Sequence, residues 1–191
     1  MKKVITNDNN LKENDITEIV KRVKVFLINH NNELLVCNSN NEYHLPGGHV
    51  EQNESLIDTL NREIEEETGI VLNINNIKPF ACTIGYYKDW PEKNKNRKIE
   101  IYYYEIKTEL KPNIYNTNLT LGEKEGNFNI KYIPLEKVEE VFINNANKYG
   151  DKHGITKEML KIFRIYKKYK IKYICNYIYF LSYNNIGDYN E

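Results

Sequence analysis

The stretch GHVEQNESLIDTLNREIEEETGI, residues 48–70, decides the fold of this 191-residue chain. The residues just before and at its start, LPGG at 45–48, include a proline and paired glycines, which end regular structure and let the backbone approach a ligand closely. Apolar residues then repeat at helical spacing, and Gly69 is typical of the position that follows a helix C-terminus. We therefore predict a helix over residues 54–68.

Acidic residues crowd the end of this predicted helix. Glu63, Glu66 and Glu67 are three and four positions apart, so their carboxylates project from one helix face. Glu65 adds a fourth carboxylate near the negative end of the helix dipole, which makes the arrangement repulsive. A divalent cation would turn that repulsion into coordination. Carboxylates without Cys or His favour Mg²⁺, with Mn²⁺ as the alternative, and Mg²⁺ also binds substrate phosphates.

A solvated acidic helix end is the competing interpretation of this run. The flanking residues favour a metal site, because the glycine loop can bring a backbone carbonyl to a cation. Arg62 can also hold a neighbouring carboxylate by bidentate hydrogen bonds. Glu54 lies two helical turns before Arg62 and is the structural partner that we expect for it.

The same segment resembles the Nudix box, the signature G-x5-E-x7-R-E-U-x-E-E-x-G-U in which U is a bulky apolar residue. Every specified position matches. The resemblance implies an α/β fold, specifically the Nudix α/β/α sandwich with a mixed β-sheet between helices. It also implies metal-assisted hydrolysis of a diphosphate bond in a nucleoside diphosphate that is linked to another group.

Residue roles follow from the resemblance by motif position. Glu66 and Glu67 would be metal ligands, the Gly48 carbonyl would be a further ligand, and Glu63 would bind metal or orient the attacking water. Arg62 would anchor a catalytic glutamate. The resemblance thus assigns Arg62, Glu63 and Glu66 to catalysis, and it assigns Gly48, Glu63, Glu66 and Glu67 to the metal.

Some members of this family recruit another glutamate from a loop outside the box. Glu123 and Glu125, in a loop predicted over residues 113–126, are the candidates here. Glu123 is preferred as a catalytic residue because it follows Gly122 in a flexible loop. For each glutamate, an exposed and charged loop position is the alternative.

Substrate choice in the family depends on residues outside the box. Proline at the sixteenth position after the box is associated with ADP-ribose hydrolases, and Tyr86 at that position disfavours the class. Tyrosine near the seventeenth position is associated with dinucleoside polyphosphate hydrolases. Tyr87 stands there, although coincidence is a rival explanation in a chain with 16 tyrosines.

Four residues are candidates for substrate binding. Tyr87 and Trp90 could stack on a nucleobase, and Arg97 could meet a phosphate. His49, directly after the first glycine of the box, could also touch a phosphate. The alternatives are a hydrophobic anchor for Trp90 and a solvated hairpin tip for the cations of residues 88–97.

Three functions are therefore compared. The first is an Mg²⁺-dependent hydrolase of a nucleoside triphosphate, including a modified one as in 8-oxo-dGTP diphosphatases. The second is a dinucleoside polyphosphate hydrolase. The third is a Nudix module that senses nucleotides without turnover, which the complete set of carboxylates disfavours. All three take a small-molecule nucleotide.

Composition limits the partners and the compartment. The 27 basic and 27 acidic residues give a formal net charge of zero, which argues against a nucleic-acid or membrane-surface protein. The longest apolar patch, residues 173–181, is too short for a membrane span. The three widely spaced cysteines favour reduced, buried thiols, and we expect a cytoplasmic protein.

We expect one domain over residues 18–170. A polar segment over residues 1–17 should be poorly ordered or a peripheral strap, and the structure of residues 171–191 is left undecided. Apolar residues of that tail could form a homodimer surface or pack on the domain. Elsewhere the patterns predict a hairpin over residues 23–37, strands over 70–74, 80–87, 98–108 and 129–133, and helices over 135–141 and 156–170.

Overall fold

The computed structural model describes the backbone of residues 1–184 and the side chains of residues 1–172. Its strands and helices, in chain order, are β1 (Lys2–Thr6), β2 (Glu18–Ile28), β3 (Glu33–Ser39), β4 (Glu42–His44), α1 (Leu56–Thr68), β5 (Ala81–Tyr87), β6 (Arg97–Lys107), α2 (Leu121–Glu125), β7 (Asn129–Pro134), α3 (Val138–Tyr149) and α4 (Ile155–Asn184). Single turns of 3₁₀ helix lie at Glu13–Asp15, Ile114–Asn116 and Leu135–Lys137.

The strands form one mixed sheet in the order β1-β5-β6-β2-β3-β4, and β7 pairs with β3 off this path. β2 and β6 run parallel over their full lengths, and β1 runs parallel to β5. The other pairings are antiparallel. Parallel neighbours need a long crossover connection, and α1 lies within the connection between β2 and β6.

The two faces of the sheet are covered by different helices. Alternation along β2 sends Phe26 into one core cluster, with residues of α3 and α4, and Leu27 into the other, with residues of α1. Phe142 and Ile162 are fully buried on the first face, and Leu60 is fully buried on the second. Each such side chain contributes about 1.5–3 kcal/mol to folding. The predicted α/β/α sandwich with a mixed sheet is confirmed.

Helix α1 begins and ends where local chemistry favours it. Ser55 is the N-cap and forms a capping box with Asp58, so the helix starts two residues after the predicted first position. Gly69 ends the helix in a left-handed conformation with φ of 68°. A Cβ atom at Gly69 would lie 2.1 Å from the carbonyl oxygen of Asn113, so glycine is needed there for space as well as for conformation.

One sequence prediction fails around the sheet. Residues 70–74 are not a strand: Ile70, Leu72 and Ile74 pack into the cluster beneath α1, and Asn61 binds the backbone of Ile74 through two hydrogen bonds. Within the N-terminal segment, β1 is an edge strand of the sheet and pairs with β5. Its first amide, that of Lys2, donates to the carbonyl of Phe80 at 2.8 Å.

The C-terminal helices are longer than predicted. The helix expected over residues 135–141 is a 3₁₀ turn followed by α3, and the helix expected over residues 156–170 continues to Asn184. The dimer surface proposed for residues 173–181 falls on side chains outside the described residues. Among the helices that the structure describes, none combines the length and apolar character needed to cross a membrane.

Candidate active site

A cleft of about 1130 Å³ opens between β2, the glycine loop, α1, the β5–β6 hairpin and the segments around α2 and α4. Its acidic lining consists of Glu51, Glu63, Glu66, Glu67, Glu123 and Glu158. Its basic and aromatic lining includes Arg22, Lys24, His44, His49, Arg62, Tyr87, Trp90, Lys152 and His153. The face of α1 that carries Glu63, Glu66 and Glu67 therefore lines this cleft.

Glu67 is the most deeply buried of these carboxylates, with 4% of its surface exposed. Its Oε2 accepts a hydrogen bond from the backbone N–H of Gly47 at 2.8 Å and lies 3.9 Å from the Cys37 thiol. Burial raises the pKa of the Glu67 carboxyl well above its ordinary value; the Gly47 N–H opposes this, and the nearby carboxyls of Glu63 and Glu123 add to it. Glu67 thus links α1 to the glycine loop, and a cation bound beside it would stabilise its charged form.

Arg62 organises the rest of the acidic face. Its Nη1 donates to Glu63 Oε1 and to Glu66 Oε2, both at 2.8 Å, while its Nη2 donates to the His49 carbonyl at 2.9 Å. Its Nε and Nη2 also bind the two oxygens of Glu54. The pKa of Arg62 is raised, first by its hydrogen bonds to Glu54, so the guanidinium stays charged and holds two carboxylates in place.

Two glycines let the loop reach both the sheet and the helix. Gly47 has φ of 134°, and a Cβ atom there would lie 2.2 Å from the Val23 carbonyl oxygen. A Cβ atom on Gly48 would lie 2.2 Å from Glu63 Oε1. The Gly48 carbonyl accepts a hydrogen bond from Val23 N at 3.0 Å, and its second lone pair leaves it able to bind a cation as well.

Helix α2 brings Glu123, but not Glu125, to the cleft. Glu123 Oε2 accepts hydrogen bonds from the N–H and the hydroxyl of Thr120, at 2.7 and 2.8 Å, in a capping box that fixes the side chain. The carboxyl of Glu123 lies near that of Glu67 and helps to raise its pKa. Glu125 is exposed and does not line the cleft. The predicted loop over residues 113–126 therefore contains a short helix with a positioning role.

This donor set fits a hard divalent cation. Glu63, Glu66, Glu67 and Glu123 place carboxylate oxygens along one cleft, and burial raises the pKa of Glu63 as well as that of Glu67. Removing negative charges from water without a counter-ion is costly, and a cation among them would relieve that cost. Oxygen donors of this type are those that Mg²⁺ and Mn²⁺ prefer.

The aromatic residues expected to bind substrate lie at the same cleft. Tyr87 and Trp90 are each 44% exposed, and their ring centroids are 5.5 Å apart. The guanidinium of Arg97 stacks 4.8 Å from the Trp90 ring centroid, and its Nη2 pairs with Glu18 at 2.7 Å. Arg97 itself is not among the residues that line the cleft, and its contact with Trp90 supports that ring.

His49 lines the cleft as a neutral ring. Its Nε2 accepts a hydrogen bond from Arg22 Nε at 3.0 Å. Burial lowers the pKa of His49, and the positive charges of Arg22 and Arg97 lower it further. His49 therefore presents its ring to the cleft without a positive charge, while Arg22, which the sequence did not single out, supplies a cation.

A buried polar triad that the sequence did not indicate completes the cleft. Lys24 Nζ and the Tyr103 hydroxyl both donate to Glu158 Oε1, each at 2.8 Å. Burial alone would raise the pKa of Glu158, but the Lys24 charge and the two hydrogen bonds lower it overall. Glu158 is 134 residues from Lys24 in the chain, so no local pattern could have predicted the pair.

Comparison with known proteins decides the family. Residues 19–153 match the NUDIX domain, which covers more than two thirds of the chain. The chain belongs to the NUDIX domain family. Strand β1 and the whole of α4 lie outside the matched region, although α4 packs on the sheet as part of its core.

Two known proteins illustrate the similarity in sequence and in structure. A protein of Buchnera aphidicola subsp. Schizaphis graminum (strain Sg), named 8-oxo-dGTP diphosphatase, is 32% identical over 98 residues. The match spans 51% of this chain and 64% of the Buchnera protein. The solved structure of a C. elegans Ap4A hydrolase binary complex has a TM-score of 0.50 at 18% identity, covering 80% of this chain and 98% of that one. At that identity the second likeness shows the NUDIX fold alone.

Proposed function

We propose that this NUDIX domain protein is an Mg²⁺-dependent cytoplasmic hydrolase, with Mn²⁺ as the alternative metal. It would cleave a diphosphate bond in a nucleoside diphosphate linked to another group. The observation that carries the proposal is the convergence of Glu63, Glu66 and Glu67 from α1 with Glu123 from α2 on one cleft. A purely structural acidic helix end would point all its carboxylates into open solvent, whereas these three line a cleft.

The roles proposed for these residues follow from their contacts. Glu63, Glu66, Glu67 and the Gly48 carbonyl would hold the metal, which when bound neutralises diphosphate charge and lowers the pKa of a coordinated water. Arg62 keeps the carboxylates of Glu63 and Glu66 in place through its 2.8 Å hydrogen bonds. These residues would therefore fix the positions of the metal ligands before the substrate binds.

Glu123 is the proposed base. Its carboxyl lines the same cleft as Glu67 but comes from a separate element, and the Thr120 cap holds one of its oxygens. A carboxylate fixed in this way can accept the proton of an attacking water, provided that it lies within hydrogen-bond reach of that water. Glu125, which is exposed, has no such neighbourhood.

The substrate that we propose is a nucleoside triphosphate, including a modified one. The Buchnera relative carries the name of an 8-oxo-dGTP diphosphatase, and the exposed rings of Tyr87 and Trp90 offer a stacking surface for one base. Arg22 lines the same cleft with a cation for phosphates. A dinucleoside polyphosphate is the second candidate, because Tyr87 stands at the seventeenth position after the box and contacts Trp90.

A phosphate-release screen with Mg²⁺ tests the proposal across nucleoside triphosphates, diadenosine polyphosphates and nucleotide sugars. We expect turnover of a nucleoside triphosphate by the wild type. Glu67→Gln, which removes the charge of a metal ligand, should lower kcat about 10- to 100-fold. Glu65→Gln is the matched control, since Glu65 is exposed on the same helix and should keep full activity.

The outcomes separate the three candidate functions. Preferred turnover of diadenosine polyphosphates would select the second candidate. Nucleotide binding without turnover by the folded wild-type protein would select a sensing module and contradict the enzymatic proposal. Equal turnover by wild type and Glu67→Gln would contradict the assignment of the metal ligands.

A further inference from the structure

Cys37 and His44 face each other across the β3–β4 hairpin, next to the buried end of the acidic helix. They are direct partners in the antiparallel register, and side chains at such positions lie on the same face, with Cβ atoms about 4.5–5.5 Å apart. Glu67, from the last turn of α1, closes over this face, and its Oε2 lies 3.9 Å from the Cys37 thiol. One ligand atom from each of the three residues lies within 4.8 Å of the others.

We propose that Cys37, His44 and Glu67 form a second metal site, selective for a thiophilic divalent cation of the Zn²⁺ class. Thiolate, imidazole and carboxylate are the ligand types of zinc sites with three protein ligands and one open position. Bond lengths of about 2.0–2.3 Å place tetrahedral ligands roughly 3.3–3.7 Å apart. The three ligand atoms, which lie within 4.8 Å of one another, therefore need side-chain shifts of only about 1 Å to bind one zinc ion.

Mg²⁺ has different requirements. It demands octahedral oxygen coordination and has little affinity for sulfur, so a set with one thiol and one imidazole does not suit it. The carboxylates of Glu63 and Glu66, which are not members of this trio, provide the oxygen-rich surroundings that Mg²⁺ prefers. The cleft therefore presents two ligand sets of different softness, and Glu67 belongs to both.

Metal binding by the trio can proceed from the cleft. A neutral imidazole such as that of His44 offers a lone pair to a metal. Zn²⁺ binds the thiolate of Cys37, so the thiol proton passes to solvent as the S–Zn bond forms. His44 and Glu67 line the cleft, which gives the cation a route to the buried sulfur.

Ordinary packing of Cys37 is the alternative, because the residue also belongs to the apolar cluster beneath α1. Free cysteines are commonly buried in such clusters. Cys82 is a buried free cysteine of this ordinary kind: its thiol contacts the Thr83 carbonyl and is not part of a metal-binding group among the described residues. Cys37 differs in having two further ligands at hand.

Sharing of Glu67 has a consequence for turnover, and this consequence rests on the proposed function. A zinc ion bound to Cys37 and His44 would draw the Glu67 carboxylate out of the Mg²⁺ set. Zinc should then inhibit hydrolysis at saturating Mg²⁺, and Cys37→Ser should relieve that inhibition.

Titration of the full chain with Co²⁺, a spectroscopic substitute for Zn²⁺, tests the site without any assay of activity. We expect a thiolate-to-cobalt charge-transfer band that Zn²⁺ abolishes by displacement and that Cys37→Ser lacks. His44→Gln should weaken Co²⁺ binding at least about tenfold. Cys82→Ser and Cys175→Ser, which replace the other two cysteines of the sequence, are the matched controls and should keep the band.

Several results would overturn the site. They are absence of the band in the wild type, its persistence in Cys37→Ser, or its loss in a control variant alone. Thermal unfolding without metal checks that each variant is folded; if Cys37→Ser does not fold, unchanged Co²⁺ affinity in His44→Gln is decisive against the proposal. A Cys37-dependent band in a protein that hydrolyses no nucleotide would support the metal site while contradicting the proposed function.

Discussion

Arg62 and Glu54 form a two-point ion pair, with Arg62 Nε 2.7 Å from Glu54 Oε1 and Arg62 Nη2 3.0 Å from Glu54 Oε2. The hydrogen bonds from Arg62 lower the pKa of Glu54 to about 2. Because Glu54 precedes α1, the pair fixes the guanidinium from outside the helix while Nη1 holds Glu63 and Glu66. Arg62 thus transmits the position of the loop to two of the proposed metal ligands.

Arg62→Lys should disable this arrangement although it keeps the charge. An ammonium group cannot bind both oxygens of Glu54 and still contact two other carboxylates in a fixed plane. We expect kcat to fall about 10- to 100-fold, with a smaller change in KM. Steady-state kinetics measure both values. Arg164→Lys is the control, because Arg164 is exposed and its Nε lies as far as 3.8 Å from Glu139 Oε1. Similar kinetics for both variants would count against the positioning role of Arg62.

Glu123→Gln tests the proposed base. Glutamine keeps the size of the side chain and can still accept the Thr120 hydrogen bonds, but it cannot take up a proton. General-base catalysis typically contributes about 10²- to 10⁴-fold, so we expect kcat to fall within that range. Glu125→Gln, two residues along the same short helix, should leave kcat unchanged. If the two variants lose activity equally, Glu123 is not the base.

Glu158→Gln should destabilise the protein in a pH-dependent way. A carboxylate with a lowered pKa stabilises the fold above its unfolded value near 4.5, and that contribution disappears as pH falls through the folded-state pKa. At pH 7 the loss of the Lys24 partner should cost about 1–3 kcal/mol in the free energy of unfolding.

Urea unfolding at pH 7 and below pH 4 measures this difference between wild type and Glu158→Gln. We expect the difference to shrink at the lower pH. Glu140→Gln is the control, because Glu140 pairs with Lys137 on the surface and such pairs contribute about 0–1 kcal/mol. A difference that is constant with pH would mean that the carboxylate charge is not what stabilises the pair.

Trp90→Ala should weaken substrate binding more than it slows chemistry. Stacking of a base on an aromatic ring contributes about 1–3 kcal/mol, so KM should rise roughly 10-fold with kcat little changed. Tyr115→Ala is the control, since Tyr115 is 95% exposed and does not line the cleft. An unchanged KM in Trp90→Ala would show that the ring only anchors its loop.

The fold was predictable wherever local chemistry is decisive. Gly69 ends α1 as predicted, and the apolar run in residues 23–28 predicted a strand that is buried on both faces. The strand predicted over residues 70–74 is wrong because Asn61 supplies the hydrogen bonds that a sheet would have given. The strand β1 escaped prediction since its polar sequence pairs with β5, far along the chain.

The acidic helix face was predictable because helical periodicity brings its glutamates together without any tertiary information. Lys24 and Glu158 could not be predicted in the same way, because only the packing of α4 against the sheet unites them. The contacts of Arg97 with Glu18 and Trp90 were likewise not predictable from the sequence. The sequence thus predicted the glutamates of α1, whereas the other residues around the cleft come together only in the tertiary fold.

The parallel pairing of β2 with β6 also sets the order of events during synthesis. Glu18 and Arg97, partners at one end of this ladder, are 79 residues apart, and contacts of such long range form slowly. Strands β2 and β3, which cover the apolar face of α1, emerge from the ribosome before that helix, whereas β6 emerges after it. The edge of β2 that pairs with β6 should therefore stay unpaired in the nascent chain until residue 107 has left the exit tunnel.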